Sequence, residues 1–549
     1  MNPRAVAANL VWAGSSLQPW WRFRRALAQP ERVQRQLLTS YLRQNVNTVL
    51  GREHRFDRIL SAGDGVQAYR DTVPLTDYDA LEPSILKIAA GERNVLTTDA
   101  VTRLTPSSGS TSAVKLLPHT ACLQREFARA VDAWIADLFV SRPRLAAGPA
   151  YWSITPSVSF ETTAATRMKQ QPAIPIGFDD DSAYLGGFRR LLVSALLAVP
   201  SDVRHIADVD AFRYVTLLFL LKARQLRLVS VWHPSFLIQL LDGIAVHLDR
   251  IVRDIATGTL NPPGGIPDDV RRQLGEKLQP EPQRAAELRR LQRFTARDLW
   301  PDLELVSCWG DGPARSYADR LARTVSDVAV QKKGLIATEA IVSIPFQGQH
   351  PLAVGSHFFE FLDDTGGCHL AHELATGVQY AVVVTTGGGL YRYKLGDRIA
   401  VNGFAGSTPS IEFVGRADRV SDRFGEKLSD GFVTGVIDEL FASLSPPRFA
   451  MLAPESIAEG IAYTLLVEPE GPLPAGLDRT LERCLRRNPH YAWCVELGQL
   501  RPARVVSVGP RADRTYLEAC AARGQRLGDI KPSSLRTESG WEHALRGVD

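Results

Sequence analysis

The sequence predicts an α/β protein with a large N-terminal domain of mixed β-sheets and helices and a smaller C-terminal α/β domain. The chain has 549 residues, and a domain holds about 100–200 residues, so at least two domains are expected. Short apolar runs with strand character alternate with segments of helical periodicity, which favours sheets flanked by helices. After Arg416 the pattern becomes an alternation of strands and helices that extends to the C-terminus. We therefore expect one domain at residues 1–417 and a second at residues 418–549.

The N-terminal domain is expected to begin with helices. Apolar residues recur at helical spacing from Val33 to Leu50. Residues 97–105 have strand character and lead into a polar block from Ser107 to Lys115. A helix is predicted from Cys122 to Val140. The polar block is thus expected between a strand and a long helix.

Four short buried strands are predicted in the second half of this domain. They lie at residues 303–307, 334–337, 357–361 and 379–385, which are apolar runs too short for a buried helix. Gly387, Gly388 and Gly389 follow the last of them and predict a turn. These strands supply the sheet character on which the α/β prediction depends.

Composition and charge exclude several classes of protein. Hydrophobic residues make up 45% of the chain and charged residues 23%, which is typical of a globular rather than a disordered protein. A net charge of +4 is too small to favour nucleic acid or an anionic membrane. The cysteines form no CxxC pair, so neither a zinc site nor a disulfide framework is indicated. With no apolar run near the ~20 residues of a membrane helix, we expect a soluble cytoplasmic protein.

The polar block has the composition of a phosphate-binding loop. Small residues fill positions 107–113, so backbone N–H and hydroxyl groups can approach a polyphosphate closely. A flexible polar linker is the alternative, although a linker needs no lysine at its end. A Walker A loop is not supported, because Val114 and Leu116 stand where that motif requires glycine and a hydroxyl residue. The candidate residues are Ser107, Ser108, Gly109, Ser110, Thr111 and Lys115.

A hydroxyl and a carboxylate follow the predicted strand at residues 334–337. Thr338 and Glu339 are therefore candidate nucleotide contacts. Mg²⁺ takes one or two carboxylates together with phosphate oxygens, so Glu339 is also a candidate metal ligand. A surface glutamate at a strand end is the ordinary alternative.

The string Tyr391-Arg392-Tyr393-Lys394-Leu395-Gly396-Asp397 ends with an acid after a glycine. A carboxylate there can accept two hydrogen bonds from a ribose diol, which makes Asp397 a candidate nucleotide contact. A strand that ends in a capped turn is the alternative. Arg416 and Asp418 follow within Gly-Arg-Ala-Asp, a sequence that is typical of a surface turn when taken alone.

A late lysine completes the set of candidates. Lys531 lies in a segment with Gly524, Gly528 and Pro532, and a lysine on a glycine-rich loop can reach out as a point charge. Such a cation would stabilise the charge that develops on phosphate oxygens in an in-line displacement. The alternative is an exposed lysine without a catalytic role.

Taken in order, these segments resemble the motifs of the auxin-responsive-promoter-type acyl acid amido synthetases, a branch of the adenylate-forming enzyme superfamily. The polar block resembles the superfamily loop SSGTTGxPK, from which Ser112 and Val114 depart. Residues 334–339 resemble YGxTE, residues 391–397 closely match YRYRxGD, and residues 415–418 match GRxD. The chain is similar to a full-length bacterial member, because weaker matches occur at residues 45–51, 73–78 and 91–96.

The resemblance implies an enzyme with two half-reactions that uses ATP and Mg²⁺. A carboxylic acid first attacks the α-phosphate of ATP, which gives an acyl-adenylate and pyrophosphate. The amine of a free amino acid then attacks the acyl group and releases AMP. By resemblance, Lys531 and Glu339 are catalytic, Asp397 and Arg416 contact the nucleotide, and Asp418 is the hinge of a mobile small domain.

Two alternatives stay open. The acceptor could be coenzyme A or another nucleophile, which would make the chain an acyl-CoA ligase-type enzyme. Alternatively, the departures at Ser112, Val114 and Leu335 could belong to a catalytically silent nucleotide-binding protein. The expected partners are small molecules, without nucleic acid or membrane, and a monomer is expected. The sequence identifies neither the acid nor the amine.

Overall fold

A computed structural model of the chain describes residues 3–107, 115–153, 174–175, 187–291, 294–416, 420–523, 525, 530 and 532–546. The α-helices of this part are α1 (Pro3–Ala26), α2 (Pro30–Asn45), α3 (Val49–Glu53), α4 (Phe56–Ser61), α5 (Gly65–Thr72), α6 (Tyr78–Ala89), α7 (Ala121–Ser141), α8 (Gly187–Leu196), α9 (Val209–Lys222), α10 (Pro234–Thr257), α11 (Asp268–Gly275), α12 (Pro282–Arg289), α13 (Ala296–Leu299), α14 (Arg315–Thr324), α15 (Asp430–Phe441), α16 (Leu477–Leu485), α17 (Pro489–Glu496), α18 (Ala512–Ala522) and α19 (Trp541–Arg546). The strands are β1 (Val101–Ser107), β2 (Lys115–Thr120), β3 (Ala150–Trp152), β4 (Leu228–Ser230), β5 (Leu305–Cys308), β6 (Ala329–Lys332), β7 (Phe358–Leu362), β8 (Cys368–Leu370), β9 (Gln379–Thr385), β10 (Tyr393–Ala405), β11 (Thr408–Arg416), β12 (Val420–Ser421), β13 (Leu428–Ser429), β14 (Phe449–Ile457), β15 (Gly460–Glu468) and β16 (Arg501–Ser507).

The chain forms two compact units. The first contains residues 1–309, 321–395 and 400–412, and the second contains residues 310–320, 396–399 and 413–549. Both units combine helices with sheets, which confirms the predicted α/β class with a larger N-terminal and a smaller C-terminal part. Residue 418 lies outside the described residues, and the domain boundary that we place beside it stays a prediction.

The first unit is built around a parallel sheet of order β3-β4-β5-β6. Strands β4 and β5 are buried along their whole length, as expected for central strands of a parallel sheet. A second sheet has the order β11-β10-β9-β7-β8, with residues 396–399 of β10 and 413–416 of β11 assigned to the second unit. Because the carboxyl ends of parallel strands meet at one edge, the β3–β6 sheet presents an edge of the kind where α/β proteins bind ligands.

The second unit contains the three-stranded sheet β14-β15-β16. Side chains alternate between its two faces, because successive residues of a strand point in opposite directions. On one face Leu452 and Leu465 pack in a cluster with residues of α15 and α16. On the other face Met451 and Leu466 pack with residues of α18 and α19. Helices therefore cover both sides of this sheet.

Helix α7 fixes the end of the polar block to the core of the first unit. The hydroxyl of Thr120 accepts the N–H of Leu123 at 3.1 Å and caps the helix directly after β2. Most residues from Phe127 to Leu138 are buried, so the helix is covered on nearly all sides. The predicted helix from Cys122 to Val140 is confirmed.

Three of the four strands predicted from short apolar runs are confirmed as β5, β7 and β9. The prediction for residues 334–337 is wrong, because the strand in this region, β6, ends at Lys332. The apolar run instead turns back on itself and closes a single bridge between Ile336 and Ile341. Gly334 permits this close return, since a Cβ at that position would lie 2.2 Å from the carbonyl oxygen of Ser343.

The six cysteines are free thiols, in agreement with the absence of a disulfide pattern. Burial raises the pKa of Cys122 to about 12 and that of Cys368 to about 11. Burial also raises the pKa of the thiols of Cys484, Cys494 and Cys520. Within the described ranges no helix has the length and hydropathy that crossing a bilayer requires.

Candidate functional site

The polar block connects the two strands of an antiparallel hairpin. Strands β1 and β2 pair with Ser107 opposite Lys115, so the two ends of the block are neighbours. This register makes the block the connection between the two strands of a hairpin. The candidates between these ends, Ser108, Gly109, Ser110 and Thr111, lie outside the described residues.

Two lysines lie beside the stem of this hairpin. Lys115 Nζ is 5.9 Å from the ring centre of Tyr78, whose hydroxyl accepts the next backbone N–H of β2 at 3.0 Å. Lys394 Nζ is 3.5 Å from the carboxylate of Asp77, the N-cap of α6. The backbone N–H of Ala80 lowers the pKa of the Asp77 carboxyl, and the two lysines lower it further. Two lysines and the Asp77 carboxylate therefore lie beside the stem of the hairpin.

The segment around Thr76 is joined to the Tyr391–Asp397 string. Thr76 donates its N–H to the carbonyl of Arg392 at 2.9 Å and accepts the N–H of Lys394 at 2.8 Å. Its hydroxyl donates to the carbonyl of Tyr391 at 2.8 Å. Residues 73–78 and 391–397, which match two separate motifs in the sequence, therefore lie side by side.

Arg392, conspicuous in the sequence, is directed into the core. Its Nε donates to Glu360 Oε2 at 3.0 Å, and its Nη1 donates to the carbonyls of Arg70 and Val73 at 2.9 and 2.8 Å. The carboxylate of Glu360 is fully buried and also pairs with Arg70 Nε at 3.0 Å. Arg392 thus neutralises a buried acid and anchors the end of α5.

Thr338 and Glu339 occupy the tip of a tight turn. Residues 337–340 are closed by an N–H···O bond of 2.9 Å between their first and last members, and the bridge between Ile336 and Ile341 flanks them. Ile336 to Glu339 are partly exposed, whereas Ala340 and Ile341, which follow the turn, are fully buried. The turn therefore presents a hydroxyl and a carboxylate from a well-anchored base.

Asp397 and Arg416 are brought together in the second unit. Asp397 lies on β10 and Arg416 on the neighbouring strand β11, and Arg416 Nη1 is 3.4 Å from Asp397 Oδ1. The Asp397 side chain is 7% exposed and that of Arg416 is 27% exposed. A largely buried carboxylate with a neighbouring guanidinium can bind hydroxyl and phosphate groups together. Asp418 and Lys531 lie outside the described residues.

A buried lysine marks the carboxyl edge of the parallel sheet. Lys333 directly follows β6, and its Nζ donates to the Ser230 hydroxyl and the Val231 carbonyl at 2.8 Å each. The indole rings of Trp134 and Trp232 lie 5.8 and 5.4 Å from the same nitrogen. Burial lowers the pKa of Lys333 to about 7. The ammonium is therefore much more acidic than an exposed lysine.

Sequence reasoning missed the polar groups that hold the Thr338–Glu339 turn. The buried residues Glu126 and His357 form a pair with 3.0 Å between His357 Nδ1 and Glu126 Oε2. The sequence did contain one indication that Glu126 is buried: its spacing in α7 places it on the same buried face as Leu123 and Ala130. No such periodic signal marks His357.

The parallel sheet and the β1–β2 hairpin lie in the first unit, and the Asp397–Arg416 pair lies in the second. The chain belongs to the GH3 family, because the model of the GH3 family N-terminal domain matches residues 21–330 and that of the GH3 family central domain matches residues 351–416. The resemblance drawn from the motifs is thereby confirmed.

Curated relatives and solved structures agree with this assignment. Indole-3-acetic acid-amido synthetase GH3.8 of Oryza sativa subsp. indica is 24% identical over 533 residues, which cover 88% of this chain and 86% of the relative. Indole-3-acetic acid-amido synthetase GH3.4 of Arabidopsis thaliana is 24% identical over 70% of this chain and 67% of the relative. The structure of AtGH3.15 acyl acid amido synthetase in complex with 2,4-DB has a TM-score of 0.79 at 17% identity and covers 97% of this chain and 95% of its own. A second structure of GH3.15 acyl acid amido synthetase gives 0.77 at 19% identity, with 95% and 94% covered.

Proposed function

We propose that the chain is an ATP-dependent acyl acid amido synthetase. It activates a carboxylic acid as an acyl-adenylate and transfers the acyl group to the amine of a free amino acid, with release of pyrophosphate and AMP. The observation that carries this proposal is membership of the GH3 family, whose relatives cited above are named amido synthetases. We further propose that the enzyme acts as a monomer in the cytoplasm.

The nucleotide is held by two sets of groups in this proposal. Asp397 accepts hydrogen bonds from the ribose hydroxyls, and Arg416 beside it donates to the ribose or a phosphate oxygen, a use that their 3.4 Å separation supports. The loop between β1 and β2, with Ser107, Ser108, Gly109, Ser110 and Thr111, donates to the polyphosphate. Lys115 adds positive charge at the stem of that loop.

Mg²⁺ is the proposed metal, with Glu339 as its protein ligand and Thr338 beside it. The carboxylate at the tip of the 337–340 turn is partly exposed, and a single such oxygen donor suits a metal that completes its shell with water and phosphate oxygens. When bound, Mg²⁺ would withdraw negative charge from the phosphates during adenylation. Glu339 would hold this ion at the tip of the turn.

Lys531 is the proposed catalytic cation of the first half-reaction. The carboxylate of the acid attacks the α-phosphorus, the bond to the pyrophosphate oxygen breaks, and the ammonium stabilises the charge on the oxygens of the transition state. Residues 418–549 then turn about Asp418 and withdraw Lys531, so that the amine reaches the acyl carbon. Attack by the amine breaks the acyl–phosphate bond, releases AMP and leaves the amide after loss of a proton.

Carboxylate-dependent exchange of labelled pyrophosphate into ATP tests the first half-reaction over a panel of carboxylic acids. Product analysis with the best acid, a panel of amino acids and coenzyme A then tests the second. An amide confirms the proposal, whereas a thioester without any amide would assign the acceptor to coenzyme A. ATP binding without exchange for any acid would identify a catalytically silent nucleotide-binding protein.

A further inference from the structure

A carboxylate–imidazole pair is buried inside the first unit. Glu126 is part of α7 and His357 directly precedes β7, and both side chains are 0% exposed. Removing a carboxylate from water is unfavourable, and a well-packed apolar pair often stabilises a fold as well or better. Stability alone therefore gives no reason for an acid and an imidazole at this position.

The hydrogen bonds determine the tautomer of the imidazole. The backbone N–H of Ile341 donates to His357 Nε2 at 3.2 Å, so Nε2 acts as an acceptor. The ring proton then lies on Nδ1, which donates to Glu126 Oε2 at 3.0 Å. Ile341 is the residue that closes the base of the Thr338–Glu339 turn. The imidazole therefore links the carboxylate of α7 to the acidic turn.

The same carboxylate also holds the glycine turn that leads to Tyr391–Asp397. The N–H of Gly387 donates to both oxygens of Glu126, at 3.0 and 3.1 Å. A Cβ at residue 387 would lie 2.4 Å from Glu126 Oε1 and from Cys122 Sγ, so this approach requires glycine. The hydroxyl of Thr120, the N-cap of α7, donates to the carbonyl of Gly387 at 3.3 Å. Three chain segments thus meet at one carboxylate.

We propose that Glu126 and His357 are positioning residues that fix the acidic turn at Thr338–Glu339 and the glycine turn at Gly387 relative to α7. Their directional hydrogen bonds set the place of the Glu339 carboxylate, and through it the use of Mg²⁺ and ATP. This inference rests on the proposed function only for its kinetic consequence. The structural part, protection of the Ile341 and Gly387 amides by the pair, stands without it.

Two variants distinguish the hydrogen bonds made by Glu126 from the hydrogen bond that His357 accepts from Ile341. In Glu126→Gln the added amide N–H groups oppose either the Nδ1 proton of His357 or the N–H of Gly387, because both neighbours are donors. In His357→Asn the side-chain amide can still donate to Glu126, but the acceptor for the Ile341 N–H is lost. Cys122→Ala is the matched control, because it leaves the hydrogen bonds of Glu126 and His357 in place and removes only the thiol, with its weak contact of 3.6 Å to Glu126 and its packing against Gly387.

Hydrogen exchange of the ligand-free protein gives the first readout. We expect exchange of amides in residues 335–345 to be at least tenfold faster in Glu126→Gln and His357→Asn than in wild type. In His357→Asn the amides of residues 386–389 keep their protection, and Cys122→Ala changes neither peptide. Unchanged exchange in a folded His357→Asn variant would overturn the proposal whatever the activity of the protein.

Kinetics of pyrophosphate exchange give the second readout. We expect the KM for MgATP and the half-saturating Mg²⁺ concentration to rise at least fivefold in both variants, while the KM for the carboxylic acid changes less than twofold. An equal rise of all three constants would assign the pair a general structural role and overturn the positioning role. If wild type activates no acid, the proposed function fails, and hydrogen exchange still decides the inference. Should Glu126→Gln not fold, His357→Asn carries both measurements.

Discussion

At the scale of single residues, the same side-chain type takes opposite roles in neighbouring motifs. Arg392 has a left-handed backbone with φ of +44° and is directed to the buried Glu360, whereas Arg416 lies beside Asp397 and is partly exposed. The sequence predicted that both strings are important but not where the side chains point. Direction depends on backbone conformation and on distant partners such as Glu360, which a motif does not encode.

Asp397 provides a prediction at this scale. We expect Asp397→Asn to weaken ATP binding about 10- to 100-fold, because a hydrogen bond to a charged group contributes about 1.5–3 kcal/mol. Calorimetric titration with ATP measures the change. Asp57→Asn is the matched control, since that carboxylate is 61% exposed beside Arg55 on the surface. Equal ATP affinity in wild type and Asp397→Asn would remove Asp397 from the nucleotide site.

Lys333 provides a pH-dependent prediction. Burial lowers its pKa from 10.5 to about 7, so between these values the unfolded chain binds a proton that the folded chain does not. Stability attributable to this residue therefore rises with pH across that window, by up to about 1.4 kcal/mol per pH unit. We expect the thermal midpoint of wild type to rise relative to Lys333→Met between pH 7 and pH 10. Below about pH 7 both states are protonated and the difference is constant, so a flat difference from pH 7 to 10 would contradict the pKa.

At the scale of secondary-structure elements, short apolar runs predicted three strands correctly but could not exclude a turn at a fourth position. Residues 379–385 form β9, as the short apolar run predicted, whereas the run at residues 334–337 bonds to its own continuation. The N–H of Val342 donates to the carbonyl of Leu335 at 2.9 Å, so this segment satisfies its backbone locally. Burial is common to both cases. The two cases differ in which backbone groups their N–H and C=O groups bond to, and that depends on the tertiary structure.

Arg392 joins β7 to the end of α5, and its loss tests that connection. We expect Arg392→Ala to destabilise the first unit by about 3–5 kcal/mol, because Glu360 would lose a buried partner. Arg224→Ala is the control: Arg224 Nε also lies 3.0 Å from a carboxylate, that of Glu287, but both side chains are about half exposed. That pair should contribute only about 0.2–1 kcal/mol. Chemical denaturation of both variants measures the difference, and equal losses would contradict a structural role for Arg392.

At the scale of the whole molecule, length and alternation predicted the α/β class and two parts of unequal size. They did not predict that residues 310–320 and 396–399 belong to the second unit. A boundary drawn from the pattern of strands and helices divides the chain at one position, whereas contacts between distant segments decide which residues belong to a compact unit. The ordered motifs predicted the family, because their identity and order are encoded locally. Glu126 and His357 are separated by 231 positions, and local motifs do not predict that such distant residues form a pair.

The proposed movement of the small domain predicts that Lys531 acts in the first half-reaction and not in the second. We expect Lys531→Ala to slow pyrophosphate exchange about 100-fold or more, corresponding to about 3 kcal/mol of transition-state stabilisation. The same variant should convert a supplied acyl-adenylate and amine to the amide at a rate close to that of wild type, because Lys531 is withdrawn in that step. Lys277→Ala, at a half-exposed lysine that pairs with Asp202, is the control. Equal loss in both half-reactions would contradict the proposed movement of residues 418–549.

The weakly acidic thiols have a practical consequence for observing that movement. At neutral pH a thiol whose pKa is raised holds very little thiolate, the form that reacts with maleimides. A cysteine introduced at exposed Val246 of the first unit and another at exposed Glu518 of the second would therefore be labelled in preference to these thiols and to that of Cys308, which is fully buried. Fluorophores at these two sites could report distance changes during turnover without a cysteine-free background.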